Sequence, residues 1–197
     1  IAKAEKYNYG NNGNLIQKIS MGQIMSSPEG EIWNDYGSDK FVTDITYTGD
    51  PNKTILSLPA YEIMTDQNNS TVYNNKYYYD NLALSSATKG NLTKQESWKS
   101  DTNYINSTST YNSYGLLTQQ TDPNGNITSY QYDANNLYPS KIINSLGQTE
   151  SFEYDYSSGS ITKYINQNGN KFETVFDIFD RPTIEKQPDP TNSSNLM

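Results

Sequence analysis

The sequence predicts an all-β protein made of antiparallel β-hairpin repeats of 22 residues. Three observations carry that expectation. Gly125, Gly147 and Gly169 stand 22 residues apart, and so do Asp133, Asp155 and Asp177. The segments between turns alternate strictly between aromatic and polar residues, the two-residue period of a strand covered on one side. The third is composition. Leu, Ile, Val and Phe supply only 35 of 197 residues, whereas the chain holds 18 Tyr and 25 Asn. So few aliphatics suggest disorder, but disordered chains are poor in aromatics. A Tyr-based core with Asn-rich turns accounts for both.

The N-terminal part reads as a degenerate β-repeat region over residues 1–75. Tyr9-Gly10 with Gly13, followed by Leu15-Ile16, is a weak copy of the repeat. Between Asn14 and Tyr61 no repeat is legible, and Pro28, Pro51 and Pro59 mark turns or edges. Phe41 to Thr48 and Ala60 to Asp66 read as strands. Gln67 to Ser70 is the turn into an aromatic strand, Thr71–Asp80, that ends in the pair Tyr79-Asp80.

Residues 76–187 form the repeat proper. Tyr111-Asn112 with Gly115 precedes Leu116-Leu117-Thr118. The turns then align as Asp122-Pro-Asn-Gly125, Asn144-Ser-Leu-Gly147 and Asn166-Gln-Asn-Gly169. Asn-Gly dipeptides favour hairpin turns whose two central residues both have positive φ. After the first of these turns Thr128, Tyr130 and Tyr132 share one face; Phe152 with Tyr154, then Phe172 with Phe176, take the same places in later copies. Ser140 to Asn144, Ser160 to Asn166 and Thr183 to Gln187 are the return strands. Residues 188–197, with Pro188 and Pro190, read as a disordered tail, and both chain ends read as cuts through a longer protein. No amphipathic helix is evident.

Composition excludes much chemistry. There is no Cys and no His, so disulfides, thiolate chemistry and imidazole bases are out. Arg181 is the single Arg beside 13 Lys and 22 acids, a balance unsuited to nucleic acid. No stretch approaches a membrane span. No cofactor or metal is expected.

At these residues the chain resembles the RHS/YD-repeat family. The family's Gly-Arg-Leu-Thr and Asp-Pro-x-Gly-x-x-Thr-x-Tyr-x-Tyr-Asp run reads here as Gly115-Leu-Leu-Thr118, then Asp122-Pro-Asn-Gly125-Asn-Ile-Thr128-Ser-Tyr130-Gln-Tyr132-Asp133. Phe176-Asp-Ile-Phe-Asp180-Arg181 is a further copy, with Asp180 where Gly is usual. Tyr77-Tyr-Tyr-Asp80 through Gly90-Asn-Leu-Thr93, and Leu137-Tyr-Pro-Ser140 before Asn144, are similar to the repeat region of the B component of ABC-type insecticidal toxin complexes and its virulence-plasmid relatives. The resemblance implies a curved β-strip, a segment of a shell that encloses a toxic C-terminal segment. It implies a bacterial secreted or cell-surface protein, with the rest of its parent chain and toxin-complex components as partners. Unpaired edge strands would also permit self-association. The family's aspartic self-cleavage region has no counterpart in this sequence, so no enzyme is expected.

Other readings compete at particular residues. The Tyr-Asp pairs read as a structural ladder in which each Asp caps a turn. Asp122-x-Asn124-x-Asn126 opens like a calcium loop but lacks the Glu at its twelfth position. Glu150, Glu153 and Asp155 could supply a glycosidase pair, yet they read as part of a repeating polar face. The sequons headed by Asn52, Asn69, Asn91, Asn106 and Asn126 are expected from composition alone. Trp33 and Trp98 fit either core or surface. Exposed tyrosines suit sugar stacking, so glycan binding or adhesion is the alternative function.

Overall fold

A computed structural model describes residues 2–26, 33–35, 37, 39–49, 57–189 and 192–196. Pro28 and Pro51 lie outside these residues, as does the side chain of Trp33. Every described element is a strand, and every strand pairing is antiparallel. The chain divides into two compact units, Ile1–Thr108 and Ser109–Met197. The sequence suggested a division at residues 75 and 76 instead.

In the first unit the strands are β1 (Ala2–Tyr9), β2 (Leu15–Ser26), β3 (Trp33–Asp35), β4 (Phe41–Tyr47), β5 (Pro59–Asp66), β6 (Thr71–Tyr79), β7 (Leu92–Ser100) and β8 (Asn103–Tyr111), whose end enters the second unit. They pair in the order β1-β2-β4-β5-β6-β7-β8, with β3 beside β2. In the second unit β9 (Leu117–Thr121), β10 (Ile127–Tyr132), β11 (Pro139–Ile143), β12 (Thr149–Tyr154), β13 (Ile161–Ile165), β14 (Lys171–Phe176) and β15 (Pro182–Lys186) pair in sequence order. β16 (Pro188–Asp189) and β17 (Asn192–Leu196) pair with each other, in the segment where the sequence suggests a tail.

The period of the sequence holds in the pairing. Gln131 faces Lys141, and one period later Glu153 faces Lys163. Tyr132 faces Pro139, and Tyr154 faces Ile161. The third copy is one residue shorter. The turn after Asp133 closes on Tyr138 and the turn after Asp155 on Ser160, but the turn after Asp177 closes on Arg181. Phe176 therefore faces Pro182.

The turns correct one expectation. Asn124 and Asn168 do not take positive φ; only the following Gly does, at 84° for Gly125. The amide of Gly125 donates to the Asp122 carbonyl, and that of Asp122 to the Asn126 carbonyl. This is a three-residue loop, a type I turn closed by a left-handed residue in a G1 bulge. The reason lies at the first residue. Asp122 Oδ1 accepts the amides of Asn124 (2.8 Å) and Asn126 (2.9 Å), which fixes the right-handed part of the turn. The same pair of bonds recurs at Asp66, Asn112, Asn144, Asn166 and Asp177. Asn69 (φ 61°) and Asp180 (φ 59°) fill the left-handed place without glycine.

Burial is thin. Ile24, Ala60, Tyr79 and Ala87 are the buried apolar residues among those described, and no large side chain is fully enclosed. Stability must therefore come from many half-buried contacts and from hydrogen bonds rather than a sealed core.

Candidate functional site

The candidate site is the repeat motif itself. In each of six hairpins an aromatic residue closes a strand just after a register shift: Tyr9, Tyr47, Tyr79, Tyr132, Tyr154 and Phe176. A bulge turns the strand and increases its twist. The strand so turned is the return strand, where Ile16, Ala60, Thr93, Ser140, Thr162 and Thr183 are the extra residues. The rings of Tyr47, Tyr79, Tyr132 and Tyr154 reach the preceding hairpin. The residues facing these aromatics are Leu15, Pro59, Leu92, Pro139, Ile161 and Pro182. Proline suits that place because a bulge leaves no ladder bond for its missing N–H.

The hydroxyls then tie one hairpin to the one before. Tyr154 donates to the Pro139 carbonyl and Tyr132 to the Leu117 carbonyl, each at 3.0 Å and each spanning 15 residues. In the first unit Tyr47 donates to Leu15 at 2.9 Å and Tyr79 to Pro59 at 3.0 Å. Leu15, Pro59 and Pro139 are residues that face the preceding aromatic. Tyr79 is 4 % exposed, and its burial pushes the phenol up to about 12, so it remains a donor.

Each motif Asp turns the chain after its aromatic. Asp133 Oδ1 accepts the Leu137 amide at 2.9 Å. Asp155 Oδ1 accepts the amide and hydroxyl of Ser157 at 2.8 and 2.6 Å. Asp177 Oδ1 accepts the amides of Phe179 and Arg181, and its Oδ2 takes Arg181 Nε and Nη2 at 2.8 and 2.6 Å. These bonds hold all three carboxyls below the usual range. The first cause differs: the Leu137 amide for Asp133, the Ser157 hydroxyl for Asp155 and the Arg181 guanidinium for Asp177.

Asp80 does more. Its Oδ2 accepts the amides of Thr88, Lys89 and Gly90 at 2.8 to 3.0 Å, and Oδ1 accepts that of Asn91 at 3.0 Å. Burial alone would raise its pKa, but these four amides outweigh it and hold the carboxyl at about 2. The loop so clamped lays Ser86 beside Gly49 and buries Ala87.

The remaining motif residues line the strands. Phe152 stacks on Tyr164 at 5.2 Å, and Tyr164 on Phe172 at 5.8 Å, across β12, β13 and β14. Tyr138 stacks on Tyr154 at 4.7 Å. Tyr130 faces Ile142 across its own hairpin. Tyr111 ends β8, and Gly115, Gly125, Gly147 and Gly169 are the left-handed residues of their turns.

One sequence reading needs correction. Glu150 and Glu153 do not share a polar face. Glu150 accepts the Tyr164 hydroxyl at 2.8 Å on the aromatic side, whereas Glu153 pairs with Lys163 at 2.6 Å on the other. Separated by an odd number of positions on one strand, they must point oppositely. Both Asp122 oxygens are engaged in its own turn, Oδ2 by the Asn126 side chain. Among the described residues no acid cluster could hold a metal. Trp98 donates from its indole nitrogen to the Asp101 carbonyl at 3.0 Å.

Sequence reasoning missed the hydroxyl-to-carbonyl ties and the Asp80 clamp. Pro59, Pro139 and Pro182 facing the aromatics were the available signal.

Comparison with known proteins agrees with this geometry. Residues 111–149 match the family model described as RHS Repeat. No curated protein matches the chain. Its fold is similar to that of two solved structures. Against TcdB2-TccC3-Cdc42 the TM-score is 0.64 at 11% identity, covering 89% of this chain and 13% of that one. Against TcdB2-TccC3 it is 0.64 at 12%, covering 90% and 13%. The chain thus spans a small part of the length of either.

Proposed function

We propose that this chain, whose residues 111–149 match the RHS Repeat model and whose fold is similar to that of two toxin-complex structures, is a member of the RHS/YD-repeat family with a structural role: it is a non-catalytic length of wall in a large secreted bacterial protein of toxin type. The wall encloses a toxic C-terminal segment of the parent chain, and its neighbours are the rest of that chain and the other toxin components. One observation carries this reading. The aromatic, the bulge and the tie to the preceding hairpin recur in fixed register, so each hairpin is built to sit beside another of its kind. The carboxyls of Asp122, Asp133, Asp155 and Asp177 accept main-chain amides of their own turns, which supports a structural role for them. The ladder hydroxyls of Tyr47, Tyr79, Tyr132 and Tyr154 already donate to main-chain carbonyls, so they lend glycan binding no support.

The test is the parent protein. Cryo-electron microscopy of the full-length protein is expected to show a hollow β-shell with these hairpins in its wall. Proteolysis is expected to spare the C-terminal segment until the shell is opened. A parent in which the hairpins stand free, with solvent on both faces and a C-terminus cut at once, would overturn the proposal.

A further inference from the structure

The first unit carries a cavity of about 550 Å³ on the face that bears Tyr73, a volume typical of small-molecule sites. Its apolar lining comes from Leu15, Phe41, Ile45 and Met64. The charged groups in it are Glu5, Lys18 and Glu62. They are not equivalent. Lys18 pairs with Glu5 at 2.7 Å, so these two neutralise each other. Glu62 has no such partner: among the described residues no lysine or arginine pairs with it. Its two oxygens instead accept phenol hydroxyls, from Tyr73 at 2.7 Å and Tyr77 at 3.2 Å. The acid Glu96, also in the first unit, shows the contrast, since Lys94 and Lys76 reach it at 2.9 and 3.7 Å.

A carboxylate held by two neutral donors has no cation beside it, among the described residues, to offset its charge. Phenol and benzyl faces add negative potential of their own. The unmet charge is thus complementary to a cation that is itself weakly hydrated and apolar on its surface. We propose that this cavity binds a small alkylated ammonium ion, with the cationic head against Glu62 and Tyr73 and the alkyl groups over Met64, Phe41 and Ile45. The inference does not depend on the encapsulating role; the site would exist in the wall whatever the wall encloses.

Choline and 3,3-dimethyl-1-butanol, which puts carbon in place of the nitrogen, discriminate the idea. Each is titrated into the protein while the Met64 methyl and the Tyr73 ring are followed by nuclear magnetic resonance. Saturable shifts with choline, and binding of the alcohol weaker by about tenfold or more, are expected. Glu62→Gln keeps an acceptor for the tyrosines and removes the charge; it is expected to weaken choline by a similar factor and leave the alcohol unchanged. Equal binding of the two probes to the unmodified protein would overturn the proposal without recourse to any variant. So would an absence of saturable shifts, or a folded Glu62→Gln protein that binds choline as before.

Discussion

The Tyr154 hydroxyl donates to the carbonyl of Pro139, and Pro139 is the residue that faces Tyr132, the aromatic one repeat earlier. Tyrosine is thus used as a strap rather than only as a hydrophobe. The period of the sequence is the spacing of these straps.

Removing one strap should cost one hydrogen bond and leave a carbonyl half-buried. Tyr154→Phe is expected to lower stability by about 1 kcal/mol, and Tyr132→Phe by a similar amount. Phe176 occupies the equivalent place without a hydroxyl, as far along the chain from Ile161 as Tyr154 is from Pro139. Phe176→Tyr is therefore expected to raise the urea midpoint. A drop in that midpoint would show that the third hairpin does not share the strap geometry.

The Asp80 clamp makes a prediction in acid. Its folded pKa of about 2 lies below the ordinary 3.8, so its contribution is complete above about pH 4. That contribution is lost as pH falls from about 4 toward 2, as the carboxylate takes up a proton. Amide exchange at Lys89 and Gly90 is expected to remain slow down to that window and to accelerate within it. Asp80→Asn is expected to speed exchange above about pH 4, where it costs about 2 kcal/mol, with the difference from the unmodified protein shrinking as pH falls toward 2.

Two glycines should respond very differently to alanine. Gly147 has φ 75° with no atom within 4 Å of an added Cβ, so Gly147→Ala should cost about 1 kcal/mol of backbone strain. Gly22 has φ 58°, and a Cβ there would stand 2.1 Å from the Asp39 carboxyl carbon. Asp39 accepts the Gln23 amide at 3.0 Å, so moving it breaks a bond as well. Gly22→Ala is expected to be the more damaging by about 1 kcal/mol or more, as read by thermal denaturation. Gly147→Asn should be tolerated better than Gly147→Ala, since Asn69 holds that conformation natively.

The Asx residue that starts each turn offers a further test. Asn144→Ala removes two bonds to the amides of Leu146 and Gln148. A loss of about 1 kcal/mol is expected, with faster exchange at those two amides. Unchanged exchange would show that Gly147 alone sets the turn.

The hairpins after Gly125, their period and the limits of strands such as β4, β5 and β6 were legible because alternation and turn residues are local signals, whereas β1, β2, β3, β7, β8 and β9 were not delimited. Phe152 and Tyr154 could be assigned to one face by counting. The type of turn was not legible from Asn124-Gly125, because the deciding group, Asp122 Oδ1, acts from upstream of that dipeptide. Nor were the faces of Glu150 and Glu153 read correctly, although the same counting places them apart. The Tyr154 strap was beyond reach, since a bond to so distant a residue depends on where the hairpin places the ring. The Asp80 clamp was hidden in the same way: its four amides follow from the path of the loop between Asn81 and Asn91.

The bulge opposite each aromatic has an evolutionary corollary. Within a strand, losing one residue would turn every side chain beyond it to the opposite side and separate the phenol from its carbonyl. Turn tips can absorb such a change, as the shortened loop at Asp177 demonstrates. Length in this protein should therefore be gained or lost as entire hairpin pairs, with single-residue gaps confined to turns, so that duplication of a block is the natural route by which such chains grow.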